Sequence, residues 1–352
     1  MGVAAGVGRV VPLSLRLRGT GRHVVACGVR RAGAACALLP AAACVLLLTA
    51  GCTASTPSPL SPGGAGAERV AGLWWLLFGI AAAVCVIVTA LVLWAVHRRR
   101  EARPSTRSGR RFVVVCGVLI PAAVLTFVYV AGLDGMRAFD DPHDPDQLDV
   151  EVTGHQWWWE VRYPGSPFTT ANEIHVPVGR TIHVRLRTAD VNHSFWVPQL
   201  TVKTDLVAGR VTHLWFTANR AGVYRGQCAE YCGAQHGRMA LHVVAEPAAA
   251  FQAWLAGQSR PASTRGSQAF TSASCASCHT VAGTSARGTV GPNLTHVAGR
   301  RFLGAGTLAN TPANLARWIQ NAQAYKPGNR MPPQPLSPEQ LDAIVAYLET
   351  LR

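Results

Sequence analysis

Two uncharged apolar runs constrain this 352-residue chain more than any other feature of its sequence. Residues 71–96 and 112–133 are each long enough to cross a bilayer as a helix, which requires about 20 apolar residues. Trp74 and Trp94 lie near the two ends of the first run, where interfacial aromatic residues are common. The sequence therefore predicts a transmembrane α-helical hairpin over residues 71–133.

The formal net charge of +15 would suit a nucleic-acid partner, but its distribution along the chain argues against one. Six arginines lie between residues 9 and 31, and seven lie within residues 97–111, between the two apolar runs. Positive charge beside a membrane span marks the cytoplasmic side. We expect no nucleic-acid partner, a cytoplasmic loop over 97–111, and an extracytoplasmic chain from residue 134 onward in a multi-pass protein of the bacterial inner membrane.

The N-terminal region predicts a signal peptide over residues 1–51, because arginines precede an apolar core and small residues. Its end resembles the cleavage motif of lipoproteins, so Cys52 is predicted to be the lipidated first residue of the mature protein. An uncleaved helix with an incidental cysteine is the alternative. Residues 52–70 are rich in Pro, Gly and Ser and predict a flexible tether.

The remaining chain predicts two further domains. One domain spans residues 134–246, and from residue 148 it alternates apolar and polar side chains in short runs separated by Gly and Pro, which is typical of a β-sandwich or Greek-key barrel. Residues 247–266 predict a linker, with a short helix in its first part. Residues 267–352 predict a small all-α domain, whose last helix is capped by Ser337.

The α domain carries the sequence CASCH, a CxxCH signature of c-type haem attachment. Cys275 and Cys278 would bind the haem covalently, and His279 would be the proximal iron ligand. GPNL and MPP follow in the order found in class I cytochromes c, which makes Met331 the second axial candidate and Pro292 the residue that orients the His279 ring. A redox CxxC pair with a chance histidine is the alternative.

The β domain ends near the sequence CAEYCGAQHGRM, which places Cys228, Cys232, His236 and Met239 within twelve residues. A disulfide would give the histidine and methionine no role, and zinc would gain little from a thioether. Soft thiolates with imidazole and thioether suit copper. One blue-copper ion needs a single cysteine, so two cysteines suggest two copper ions bridged by both thiolates.

Each copper ion then needs a histidine of its own, and this loop supplies only His236. The best second candidate is His193 in DVNHSFWVP, a loop expected beside the cysteines in a cupredoxin-like barrel. Five other histidines compete for this role, and structural roles are expected for them: His155, His175, His183, His213 and His242.

These segments together resemble subunit II of the haem–copper cytochrome c oxidases. The resemblance covers residues 71–246 and includes GHQWWWE, DVNHSFWVP and the spacing C-x-E-x-C-x3-H-x2-M. It implies the following site: Cys228 and Cys232 bridge two copper ions, His193 and His236 each bind one, and Met239 and the Glu230 carbonyl are weak axial ligands. It also implies that the Glu230 carboxylate helps bind magnesium at the interface with subunit I, and that electrons enter through Trp157.

With the appended cytochrome c domain, the chain resembles subunit II of the caa-type oxidases, which carry their own electron donor. The implied function is to relay electrons from haem c to the copper centre and on to subunit I, where oxygen is reduced to water and protons are pumped. Subunits I and III are the implied partners, and a quinol–cytochrome c reductase or a small cytochrome c is the implied donor. Many members of the family carry a glutamate where this chain has Val114, so the residue that admits protons stays open.

Three alternatives differ in features that the sequence can test. A quinol oxidase subunit lacks the copper ligands, and a nitrous oxide reductase needs a large propeller domain. A membrane-anchored copper chaperone or carrier would present an exchangeable site without covalent haem. The six candidate copper ligands and CASCH favour the oxidase subunit over all three.

Overall fold

The computed structural model describes residues 57–98 and 107–352. The predicted signal peptide, Cys52 and the middle of the basic loop lie outside the described residues. Within them, the chain forms a helical hairpin, a β-sandwich and a small α domain, in that order.

Two long apolar helical segments form the hairpin. The first is α1 (Ala65–Arg98), and the second runs through α2 (Arg107–Val114), a π-helical turn (Val115–Leu119) and α3 (Ile120–Met136). The π-helical turn has a local cause, because Pro121 has no N–H to donate and the preceding N–H bonds back to the Val115 carbonyl. Both segments are long and apolar enough to cross a membrane, and they extend beyond the apolar runs at their ends.

Ten strands form two five-stranded sheets packed face to face. The first sheet has the order β3-β2-β1-β5-β8 and the second has the order β4-β10-β9-β6-β7. Alternate side chains of β1 and β5 point inward, and the two inner faces form one core that includes Val152, Trp159 and Phe195. The strands are β1 Leu148–His155, β2 Trp158–Arg162, β3 Thr169–Ala171, β4 Glu173–Pro177, β5 Thr181–Thr188, β6 His193–Trp196, β7 Thr204–Leu206, β8 Thr212–Thr217, β9 Gly222–Cys228 and β10 Ala240–Glu246.

The segment before α1 is ordered against the sandwich, so the prediction of a flexible tether over 52–70 is wrong for its described part. The Gly63 N–H donates to the Gln199 carbonyl at 2.7 Å, and the Asn219 N–H donates to the Gly63 carbonyl at 2.8 Å. A Cβ on Gly64 would lie 2.3 Å from a backbone oxygen of β8. Glycine here permits close backbone approach rather than flexibility, and the last residues of the predicted tether belong to α1.

The predicted linker over 247–266 is largely part of the sandwich domain. Its helix, α4 (Ala248–Gln258), buries Phe251 completely in the sandwich core. One turn further along, the Trp254 ring stacks on His175 at a centroid distance of 4.1 Å. Two aromatic side chains three residues apart share one helix face, which is why this Ala-rich stretch packs as a helix.

The C-terminal domain packs short helices around its own core. The helices are α5 Ser267–Ser272, α6 Pro312–Gln320, α7 Ala322–Tyr325 and α8 Pro338–Glu349, and a two-residue strand pair joins β11 Phe302–Leu303 to β12 Leu308–Ala309. Ser337 caps α8 through a capping box with Gln340. The predicted order of a helical hairpin, a two-sheet β-sandwich and a small α-helical domain is confirmed.

Candidate functional site

A cluster of sulfur and imidazole donors lies at one end of the sandwich, where β6 begins and β9 ends. His193 is the first residue of β6 and Cys228 is the last residue of β9, and these strands pair with Phe195 opposite Cys228. The following loop folds back, because the Cys228 N–H donates to the Met239 carbonyl at 2.9 Å. Strand pairing therefore brings a histidine 35 residues upstream to the cysteine loop.

The donor atoms of this cluster are close together. Cys228 Sγ lies 3.8 Å from Cys232 Sγ, 3.9 Å from His193 Nδ1 and 3.2 Å from the Glu230 carbonyl oxygen. Cys232 Sγ lies 3.7 Å from His236 Nδ1 and 3.8 Å from Met239 Sδ. All six residues that the sequence predicted as copper ligands are therefore gathered in one place.

The spacing of these atoms fits a metal better than a disulfide. Disulfide sulfurs lie about 2.0 Å apart, whereas these lie 3.8 Å apart. Two donors at a tetrahedral angle around an ion, each about 2.3 Å from it, are separated by about 3.8 Å. Thiolate, imidazole and thioether donors together are typical of copper among the common biological metals.

The two thiols have opposite acidities because they share a hydrogen bond. The hydrogen bond with Cys232 is the main cause that lowers the pKa of Cys228; burial opposes this shift, and the hydrogen bond with His193 adds to it. The same pairing raises the pKa of the Cys232 thiol. Binding of a metal to both sulfurs would displace the shared proton.

Asp190 and Gly154 hold the His193 ring in place. Asp190 Oδ1 lies 2.9 Å from His193 Nε2, and Asp190 Oδ2 accepts the Gln156 N–H at 2.7 Å. Burial acts to lower the pKa of His193, but hydrogen bonds with Cys228 and Asp190 raise it overall. A Cβ on Gly154 would lie 2.7 Å from His193 Cδ2, so this position leaves room for the ring.

The Glu230 side chain lies on the outer side of the cluster. Its carboxylate is 3.4 Å from Lys203 Nζ, while its carbonyl faces the thiols. The five competing histidines have partners elsewhere in the described chain. His155 stacks on Trp158, His175 contacts Glu246, His183 contacts Asp149 and His213, and His242 stacks on Phe302.

The second candidate site is a cavity of about 360 Å³ in the C-terminal domain. Cys275, Cys278, His279 and Met331 all line it. Trp318 and residues of α8 and the sandwich complete its wall. Its volume falls within the range of cofactor pockets, which is about 300–1,000 Å³, and the four candidate haem-binding side chains face the same space.

The His279 ring is fixed on its far side. His279 Nδ1 lies 2.8 Å from the Pro292 carbonyl oxygen, which leaves Nε2 for a ligand in the cavity. A Cβ on Gly291 would lie 2.5 Å from His279 Cε1. Burial lowers the pKa of His279, although the Pro292 hydrogen bond opposes the shift. A neutral imidazole is the form that binds iron.

Trp157 contacts both sites. Its indole N–H donates to the Cys232 carbonyl at 2.9 Å, and the same residue lines the cavity of the C-terminal domain. Trp158 stacks on His155, and Trp159 is fully buried in the sandwich core. The GHQWWWE segment therefore divides its three tryptophans between the site and the core.

Sequence reasoning missed Lys326, which is buried beside Trp157 and lines the cavity. It also missed Gly154, which leaves room for the His193 ring. One signal for Lys326 was available, because it is one of just two lysines among 33 basic residues. The contacts of Gly154 and Asp190 depend on strand pairing, which the sequence alone does not give.

An apolar helical hairpin, a sandwich with a thiol–imidazole cluster and an α domain whose cavity is lined by CASCH and Met331 define a membrane-anchored redox protein. The family model of the cytochrome c oxidase subunit II periplasmic domain matches residues 166–246, and that of cytochrome c matches residues 263–352. Cytochrome c oxidase subunit 2 of Alkalihalophilus pseudofirmus is 35% identical over 311 residues, which cover 83% of this chain and 90% of that protein.

Further relatives carry the same description. Cytochrome c oxidase subunit 2 of Bacillus subtilis is 28% identical over 335 residues, or 86% of this chain and 94% of that protein. The solved periplasmic domain of cytochrome oxidase subunit II from Bradyrhizobium japonicum is 32% identical, covers 32% of this chain and 92% of that chain, and has a TM-score of 0.31.

The chain belongs to the cytochrome c oxidase subunit 2 family and carries a C-terminal cytochrome c domain. It is a subunit of an oxidoreductase complex and associates with other oxidase subunits. Its role is in the entry of electrons into the oxidase. Its two domain types imply copper and haem c as cofactors. The two apolar helices make it a membrane-anchored protein.

Proposed function

We propose that this subunit passes electrons from a covalent haem c to a binuclear copper centre and then to subunit I. The observation that carries the proposal is the position of Trp157, which touches the Cys232 carbonyl and also lines the cavity of the cytochrome domain. One side chain thus joins the two candidate redox sites. When bound, the haem iron and the copper ions would each accept and release electrons.

In this proposal six residues hold the two copper ions. Cys228 and Cys232 would bind both ions, His193 and His236 would each bind one, and Met239 and the Glu230 carbonyl would be weaker ligands. Donor separations of 3.2 to 3.9 Å and the softness of the donor set support this assignment. The Glu230 carboxylate would also contribute to a magnesium site at the interface with subunit I.

The cytochrome domain would hold its haem through four side chains. Cys275 and Cys278 would form the covalent links, and His279 and Met331 would bind the haem iron. Their common position around one cavity supports this, as does the Pro292 carbonyl behind His279. An axial methionine opposite histidine favours a high potential.

The surrounding side chains fix the ligands and exclude water. Asp190 orients the His193 ring, and Pro292 does the same for His279. His193, Cys228, Cys232 and Met239 are all buried. A buried and preformed ligand set changes little on oxidation, which suits rapid electron transfer.

Partners and topology follow from the same proposal. Subunits I and III bind the chain, and a quinol–cytochrome c reductase or a small cytochrome c reduces haem c. The copper and haem domains lie on the extracytoplasmic side, since the basic loop marks the cytoplasmic side. Proton pumping belongs to the complex, and Val114 leaves proton entrance to another residue. Lipidation of Cys52 remains a prediction.

Electron paramagnetic resonance on the oxidised oxidase complex, with copper and iron counted in the same sample, tests the proposal. Two copper ions sharing one unpaired electron give a hyperfine pattern from two nuclei, and this subunit should account for two coppers per haem c in addition to the metals that subunit I holds. Haem staining after denaturing electrophoresis should mark this subunit. A single-copper pattern, zinc in place of copper, or a subunit without covalent haem would instead favour the membrane-anchored carrier or chaperone.

A further inference from the structure

The buried amine of Lys326 lies at the contact between the cytochrome domain and the copper-binding domain. Lys326 is only 3% exposed. Its Nζ donates three hydrogen bonds, to the carbonyl oxygens of Trp157 at 2.7 Å, Arg238 at 2.8 Å and Gly304 at 3.0 Å. Two of these acceptors belong to the copper-binding domain and one belongs to the cytochrome domain, so a single ammonium group spans the boundary.

Burial of a lysine at this position is costly and therefore informative. An amine removed from water loses strong hydration, and this loss must be offset by hydrogen bonds. Burial lowers the pKa of Lys326 to about 7. All three N–H bonds of the protonated form have an acceptor, and all three acceptors are backbone carbonyls. The geometry satisfies a cation without a carboxylate in contact.

The neighbours of Lys326 continue the same contact. We define the clasp segment as residues 325–327. Gln235 Nε2 donates to the Pro327 carbonyl at 2.6 Å, and the Arg238 guanidinium donates to the Tyr325 carbonyl. Gln235 and Arg238 lie on either side of His236 in residues 228–239, the copper loop. The clasp segment therefore rests directly on the loop that carries the candidate copper ligands.

The contact also reaches the path between the two sites. Lys326 binds the backbone of Trp157, and the Trp157 indole binds the Cys232 carbonyl. Lys326 and Trp157 both line the haem cavity. Movement of the clasp segment away from the copper loop would remove Trp157 from the cavity wall. The electron path proposed above thus depends on this contact.

We propose that Lys326 is a positioning residue that fastens the cytochrome domain to the copper loop and holds the haem cavity against Trp157. This inference rests on the proposed function, because it concerns the same electron transfer. It adds that the cytochrome domain occupies the Trp157 surface in its working position. A separate electron donor must then reduce haem c, because Trp157 is covered.

Lys203 and Lys326 are the only lysines of the chain, so peptide mass spectrometry can follow each amine separately. The purified oxidase complex is treated with an amine-reactive ester near neutral pH, both in its native state and after unfolding in denaturant. Lys203 lies 3.4 Å from the Glu230 carboxylate at the proposed interface with subunit I, so the reference rate is that of Lys326 in the unfolded sample. We expect native Lys326 to react at least about tenfold more slowly than unfolded Lys326, because labelling requires the domains to separate. Equal rates would overturn the proposal.

Protection of Lys326 must also depend on domain contact. Gln235→Leu removes a neighbouring hydrogen bond to the clasp segment without altering Lys326 itself. We expect this variant to label faster at Lys326 and at an unchanged rate at Lys203. Suppose that Gln235→Leu weakens electron transfer but leaves Lys326 labelling at the wild-type rate. Lys326 then neither reports nor maintains the contact between the domains, and the proposal fails.

Lys326→Met then tests the role of the charge in electron transfer. After photoreduction of haem c in the complex, electron transfer to copper should slow about tenfold or more, because one hydrogen bond to a charged group is worth about a tenfold change in an equilibrium constant. Haem and copper spectra should stay as in wild type. Arg317→Met, which removes an exposed cation from the same domain, is the matched control. Lys326→Arg should recover part of the rate.

The results separate this inference from the proposed function. Absence of the two-copper signal in the wild-type complex would reject the proposed function itself. Normal spectra with a Lys326→Met rate equal to that of Arg317→Met would reject only the positioning role. If Lys326→Met fails to assemble, the labelling of wild type and Gln235→Leu decides the matter.

Discussion

The copper cluster and the haem cavity gather their ligands in different ways. In the cluster, each donor lies within 3.9 Å of the next, and five of the six residues come from one twelve-residue stretch. In the cavity, His279 and Met331 are far apart in the sequence and line a space of about 360 Å³. Small ions need close donors, whereas a macrocycle needs an enclosing wall. Removing one ligand should therefore have unequal consequences.

The largest expected effect is the loss of one of the two thiolates that are proposed to bridge the copper ions. Cys228→Ser should remove the two-copper signal and lower copper-dependent electron transfer by more than about a hundredfold, because even outer partners of a metal site are worth about 10- to 100-fold. Met331→Leu should retain haem c, which is still held by the cavity, by Cys275 and Cys278, and by His279. Its effect should be a lower haem potential.

Copper and haem contents of the two variants, with a redox titration of the haem, check this contrast. Retention of two coppers in Cys228→Ser would show that the thiolate does not bridge. Loss of haem from Met331→Leu would show that the cavity does not retain the group without its second axial ligand.

The orienting partners of the two histidines should also differ. Asp190 positions His193 with its side chain, whereas Pro292 positions His279 with its backbone carbonyl. Asp190→Asn should weaken copper binding by about 10- to 100-fold. Pro292→Ala should have a much smaller effect, because the carbonyl remains. Competition with a copper chelator and the haem absorption spectrum measure the two effects, and equal losses would contradict this view of the orienting groups.

Two glycines make room for the histidine rings. Gly154→Ala and Gly291→Ala would place a Cβ 2.7 Å and 2.5 Å from His193 and His279, respectively. Overpacking of this kind costs about 1–3 kcal/mol, so each variant should weaken its own site and spare the other. Gly237→Ala and Gly299→Ala are controls, because a Cβ at either position meets nothing within 4 Å. Thermal unfolding and cofactor content are the measurements, and equal behaviour of all four variants would reject the steric reason.

Much of the site could be predicted because most of its candidate ligands lie in two short motifs. CAEYCGAQHGRM contains five candidate ligands, and CASCH contains three. His193 was within reach because a cupredoxin-like fold sets the two loops side by side, and the pairing of β6 with β9 supplies that neighbourhood. Apolar runs of sufficient length likewise predicted the helical hairpin.

Other features depend on tertiary contacts that no local pattern encodes. The stretch around Gly63 and Gly64 reads as a flexible tether, yet its glycines allow the backbone to lie against β8. The sequence around Phe251 predicts a linker. The structure has a helix there, because the sandwich core gives the Phe251 side chain a place to pack. Lys326 belongs to no motif that the sequence shows. Its position is fixed by hydrogen bonds to three backbone carbonyls that are distant in sequence.

The smallest expected effect concerns the outer link between the two sites. Arg330, next to Met331, lies 4.0 Å from Asp190 across the domain boundary, and its side chain is 62% exposed. Exposed ion pairs contribute up to about 1 kcal/mol, so Arg330→Gln should slow haem-to-copper transfer by less than about fivefold. The effect should fade as salt is added, because screening weakens exposed pairs. A loss as large as that of Lys326→Met, or one insensitive to salt, would mean that the exposed pair rather than the buried lysine governs the contact between the domains.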